Sequence, residues 1–290
     1  MTLDEAALLE VRGRYRELLR AAVPAAAEGP DRARWTAFAS RAARHLGRGA
    51  ESLAHAALAL DLAGGDPVLG ALALHAQGTA LRAGRRYDEA LAALRSALDG
   101  LPAQGDDAVR ALVLLETAET ALEAGQRADA ESALARGGAL VHWLRDARLL
   151  AWSLFLRSQL EPPSPADLQL AAAYELARGA DCPELQWQIL WRLSERAEQT
   201  GKDKIRDDLT WNALGILQKL SEEVDDADSA AFWRQGVRRI FVELCRQRHG
   251  PEFLRRLMLG GGATSETRAI LKELGFDASS IPDFGRVDPG

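Results

Sequence analysis

Residues 71–102 read ALALHAQGTALRAGRRYDEALAALRSALDGLP, and the spacing within this stretch decides the fold. Gly78, Ala90, Ala97 and Pro102 follow one another at intervals of 12, 7 and 5 residues, with Leu74 and Leu81 on the first helical face and Tyr87 just before the second. Two antiparallel helices need small side chains where their backbones approach. A proline closes such a unit because it cannot continue a helix.

The pattern resembles the tetratricopeptide (TPR) repeat, and GRRYDEALAALRSAL is a good match to that repeat's turn and second helix. It departs from the usual pattern by one extra residue in the turn and by Gln77 where an apolar residue is usual. Upstream, Ala56, Ala63 and Pro67 repeat the register after a first helix over 31–46. Downstream, Ala118, Gly125, Ala130 and Gly137 do the same. Further pairs are expected over 146–159 with 165–178, parted by the PPSP break, and over 184–199 with 203–220, joined across Gly201. The drifting period is similar to the degenerate repeat segments of bacterial signalling regulators. The resemblance implies an all-α fold, a right-handed α-α superhelix of antiparallel helix pairs with a concave inner face.

Composition agrees. The chain has 290 residues, 47% hydrophobic but only 6% aromatic, and its apolar content is dominated by Ala and Leu, which excludes an all-β fold. The Ala and Arg excess also reflects a GC-rich bacterial gene, so arginine by itself is weak evidence of function. A net charge of -6 argues against polyanion binding by the whole surface. No apolar run reaches the length of a membrane span; even 149–156 stops at Arg157. Cys182 and Cys245 lie in different predicted helices and no secretory pattern opens the chain, so a cytoplasmic location is expected.

Four regions follow: an N-terminal capping helix within 1–30, with one amphipathic helix over 3–22; repeats over 31–221; C-terminal capping helices with a basic face over 222–259, including one long helix over 227–247; and a Gly hinge, short helix (265–274) and flexible tail over 260–290.

No catalytic, cofactor or metal site is expected. His45, His55, His75, His142 and His249 show no metal-ligand spacing, neither cysteine has nucleophile flanks, and Gly260 to Gly262 lack the strand and Lys-Ser/Thr of a phosphate loop. The expected function is a non-catalytic scaffold or adaptor, holding a protein or peptide in the groove made by the first helix of each pair. Candidate groove residues are His75, Gln77, Arg82, Glu116, Glu119, Gln188 and Arg192. Tryptophans concentrate in the second half, where core packing outweighs binding anchors because they lie among Leu and Ile at helical spacing.

Charge reverses sharply near the end. An acidic turn (Glu222, Glu223, Asp225, Asp226, Asp228) precedes Arg234, Arg238, Arg239, Arg246, Arg248, Arg255 and Arg256. This basic face is a candidate docking surface for an acidic partner or for the acidic turn of another copy. A nucleic-acid-associated transcriptional regulator using helices 234–256 is the alternative. It ranks lower because no helix-turn-helix or stacking-aromatic pattern accompanies the arginines.

Overall fold

The structure, a computed structural model, describes residues 1–103 and 106–259. Among these there are fourteen helices and no strand. The first two are α1 (Leu3–Val11) and α2 (Tyr15–Ala25). Then come α3 (Arg32–His45) with α4 (Gly49–Leu62), α5 (Pro67–Ala83) with α6 (Tyr87–Gly100), and α7 (Asp107–Glu123) with α8 (Arg127–Leu144). They are followed by α9 (Ala147–Ser158) with α10 (Pro163–Gly179) and α11 (Pro183–Gln199) with α12 (Asp203–Glu222). The last are α13 (Asp226–Arg234) and α14 (Gly236–Leu259), the latter broken at Gly250. The Gly260–Gly262 break, the helix expected over 265–274 and the tail lie outside the described residues, as do the side chains of Arg255 and Arg256.

Successive helices pack in pairs, and α3, α5, α7 and α9 also contact one another in sequence. The small residues sit where the close approach requires them. A Cβ on Gly78 would lie 2.7 Å from Leu94 Cγ and 3.4 Å from the Ala90 carbonyl, and one on Gly137 would lie 3.1 Å from Leu114 Cβ. The turns repeat as well. At the ends of α3, α5, α7 and α11, the N–H of Gly47, Arg85, Gly125 or Gly201 bonds back three residues, and the next N–H bonds back five. This is the left-handed helix stop that glycine favours. Arg85 adopts it too, with φ 60°.

The two ends of the array meet. One continuous core joins Tyr15, Leu18, Trp35 and Leu46 to Trp187, Trp191, Leu214, Phe232 and Phe241. Trp187 and Trp191 stack with centroids 6.2 Å apart, and each lies 5.5 Å from Phe241. Polar contacts cross the same seam. Arg14 pairs with Glu223 at 3.1 Å, Arg16 with Asp225 at 2.8 Å, and Arg48 with Asp228 at 2.7 Å.

Closure explains two departures from the expected helices. The helix expected over 3–22 is two, parted at Gly13, whose φ of +74° and Cβ position 2.3 Å from Leu220 Cδ2 leave no room for a side chain. The helix expected over 227–247 also divides, at the extended Gln235. There Gln235 Nε2 donates to the Arg44 carbonyl at 2.7 Å and Arg238 Nη1 to the His45 carbonyl at 2.9 Å, both at the end of α3. Most of the tryptophans are structural: Trp35, Trp187, Trp191 and Trp233 are core, while Trp143 is 84% exposed.

Gly47 (φ +84°) faces the α13 backbone, where a Cβ would lie 2.5 Å from the Ala231 carbonyl carbon, whereas Gly65 (φ +87°) has open space. Gly65→Ala is expected to cost about 1–2 kcal/mol for its left-handed backbone. Gly47→Ala adds about 1–3 kcal/mol for overpacking, read by urea denaturation; equal losses would refute a tight seam there. Arg238→Met leaves Glu184, its partner at 2.9 Å, without a counter-charge. It should cost about 3–5 kcal/mol in the same assay, and a loss under about 1 kcal/mol would show that Arg238 does not hold the seam.

Candidate functional site

Closing the array frames a half-open cavity of about 1010 Å³. Its walls come chiefly from the first helix of each pair, α3, α5, α7, α9 and α11, with α1 and the start of α14. His75, Arg82, Glu116, Glu119, Gln188 and Arg192 all line it. Gln77 does not, because two residues along a helix from His75 is the opposite side.

The walls are charged. Arg41 grips Glu10 with two bonds, Nε to Oε1 at 2.6 Å and Nη2 to Oε2 at 3.1 Å. Arg82 meets three carboxylates of α7: Glu116 at 2.7 Å, Glu119 at 3.1 Å and Glu123 at 2.5 Å. Glu119 also accepts from Trp152 Nε1 at 3.1 Å. Burial and the neighbouring carboxylates of Glu116 and Glu123 push its carboxyl up to about 7, against the pull of Arg82. Burial alone would raise Glu10, but Arg41, with Arg148 and Arg44 adding to its pull, holds it below the usual range.

His75 is 3% exposed, and both its ring nitrogens are buried without a hydrogen-bond partner. Burial, with Arg41 and Arg44 adding to it, lowers its pKa to about 3, so the ring is neutral. His45 is also driven well down by burial and by nearby arginines. It stacks on Tyr15 at 4.0 Å and accepts from Arg44. Arg44 and Arg148 have no carboxylate within ion-pair distance among the described residues. For Arg44, burial lowers the pKa. Asp146 caps α9 through the Arg148 and Leu149 N–H groups, which fixes the start of that helix against the cavity.

The wall residues beyond the expected set include Glu10, Arg41, Arg44, His45, Arg148, Trp152 and Trp191. One sequence signal for them exists: Arg41 and Arg44 share one side of α3, whose other side carries buried Ala39, Ala42 and Ala43. Long charged side chains opposite tightly packed alanines have only the cavity to occupy.

The expected basic face is divided in the structure. Arg238 is 2% exposed, lies 3.9 Å over the Phe232 ring and is committed to α3 and Glu184. Arg246 bonds Glu243 and Arg248 pairs with Glu198. Arg234 and Arg239 are exposed at the cavity. Arg238 therefore belongs to the interior of the seam and is no part of a docking surface. Glu223, Asp225 and Asp228 of the acidic turn pair with Arg14, Arg16 and Arg48 within the chain.

Among the described residues, no three His, Cys, Asp or Glu side chains are grouped to hold a metal ion, and no helix is long and apolar enough to cross a membrane. Both cysteines are buried free thiols whose pKa burial raises, Cys182 to about 11 and Cys245 to about 12. No protein-family model matches the chain, and no curated protein matches it at a significant level.

Because Glu119 titrates higher when folded than the ordinary 4.5, it favours the folded state most below 4.5 and loses that advantage as pH rises to about 7. His75 works the other way: its contribution is present above 6.5 and lost as pH falls toward 3. Glu119→Gln keeps an acceptor for Trp152 but cannot ionise. Its melting temperature should therefore gain on the wild type from about pH 5 to about pH 7 and level off above that, and parallel profiles would disprove a raised Glu119.

Proposed function

We propose that this chain is a non-catalytic interaction module, a right-handed TPR-like superhelix that binds a peptide or a segment of a partner protein in its central cavity, in bacterial cytoplasmic signalling or regulation. One observation carries the reading: polar side chains from the first helices of successive pairs converge on one cavity of about 1010 Å³. That is the upper end of the range for ligand pockets, room for a short peptide segment or a comparable polar molecule. The repeat reading has support from Arg82 and Glu116, which pair across 34 residues, one period of the TPR.

The alternative, nucleic-acid regulation through residues 234–256, is weaker on the same grounds. Polyanion binding needs arginines free to exchange counter-ions, and Arg238, Arg246 and Arg248 already hold carboxylates.

Gln188→Trp narrows the cavity without removing charge, and Arg95→Glu alters an exposed position on α6. In affinity capture from the source cell, partners retained by the wild type should fall about tenfold or more on the first variant and persist on the second. Full retention by Gln188→Trp would overturn the cavity as the binding surface.

A further inference from the structure

The charges around the cavity do not balance locally. Arg41 and Glu10 are matched, as are Arg192 with Glu195 and Arg238 with Glu184. Setting aside the exposed Arg85, Arg234 and Arg239, two opposite groups are left among the wall charges. At one, Arg44 and Arg148 lack carboxylate partners, and Arg44 Nε is buried without a hydrogen bond. At the other, the single guanidinium of Arg82 serves Glu116, Glu119 and Glu123.

His75 borders the acidic group, its Nε2 lying 4.0 Å from Glu116 Oε2. Arg44 is tied to the His45 ring, and the three carboxylates are already folded onto Arg82. Each group has the composition of a subsite. Two arginines without carboxylates suit an oxyanion, and surplus carboxylates suit an ammonium or guanidinium. In a shielded cavity such complementary charges attract more strongly than in water.

We propose that the cavity takes a ligand carrying both charges, its carboxylate held by Arg44 and Arg148 and its cationic group by Glu119 and Glu123. This deepens the peptide-binding reading and rests on it for the location. The shared chemistry is a zwitterion, met by the two charged ends of a short peptide or by a small amino acid-like molecule. Matching two poles at once is more selective than either charge alone, because a ligand with one charge leaves the opposite subsite unpaired.

The test uses the full chain and the fluorescence of Trp152 and Trp191, which line the cavity. The probes are a pool of tripeptides of Ala, Ser and Leu with free ends, the same pool N-acetylated, the same pool C-amidated, and ω-amino acids from 4-aminobutyrate to 8-aminooctanoate. The free pool should bind, and blocking either end should weaken it roughly tenfold or more. Arg148→Gln should erase the preference for a free carboxylate, and Glu123→Gln the preference for a free amine, with melting curves confirming that both variants fold. Equal binding of all three tripeptide pools would overturn the bipolar site and leave peptide binding standing. Binding of ω-amino acids alone, sensitive to both variants, would uphold the bipolar site and sink the peptide reading. No binding by any probe would overturn both.

Discussion

The seam between the first and last helices is the constraint on which the rest of the molecule depends. A stack of helix pairs has two apolar end faces, and each must be covered. Here each covers the other: Tyr15, Leu18 and Trp35 share a core with Trp187, Trp191 and Phe241. Arg238 ties the seam at its inner edge, bonding the end of α3, pairing with Glu184 of α11 and lying over Phe232 of α13. Such a buried guanidinium is tolerable because it serves a carbonyl, a carboxylate and a ring at once.

Closure has an electrostatic consequence. An open groove would leave the first-helix side chains in water, where Glu119 and His75 would titrate near their ordinary values. Enclosure removes solvent from both, lifting one and depressing the other. The cavity therefore combines neutral imidazoles, a carboxyl that holds its proton toward neutrality and arginines without carboxylates, all on a rigid helical wall. This preorganised polarity, more than any single residue, makes the cavity a candidate binding site.

The hairpins were legible in the sequence because their signals are local. Gly78, Ala90 and Ala97 mark close contact, and Gly47, Gly125 and Gly201 mark stops, so helices expected over 31–46, 184–199 and 203–220 differ from those observed by a residue or two at most ends. The cavity was legible in part. His75, Arg82, Glu116, Glu119, Gln188 and Arg192 followed from their places on first helices, while Gln77 falls on the wrong side of the same helix as His75. Glu10, Arg44 and Arg148 escaped because nothing near them in sequence shows that distant helices converge on them. The undivided helices over 3–22 and 227–247, and a basic face including Arg238, failed for one reason: Gly13, Gln235 and Arg238 answer to partners far away in the chain.

Helical content, pair boundaries and the positions of tight contact thus belong to short-range chemistry, since propensity, small-residue spacing and turn glycines act within one hairpin. The meeting of the two ends, the half-open cavity and the unmatched charges belong to the assembled fold. They arise from contacts such as Arg48 with Asp228, 180 residues apart, and no local pattern encodes which of two exposed end faces will find the other. Burying both at once removes the most apolar surface from water, and the cavity is the space left inside that solution.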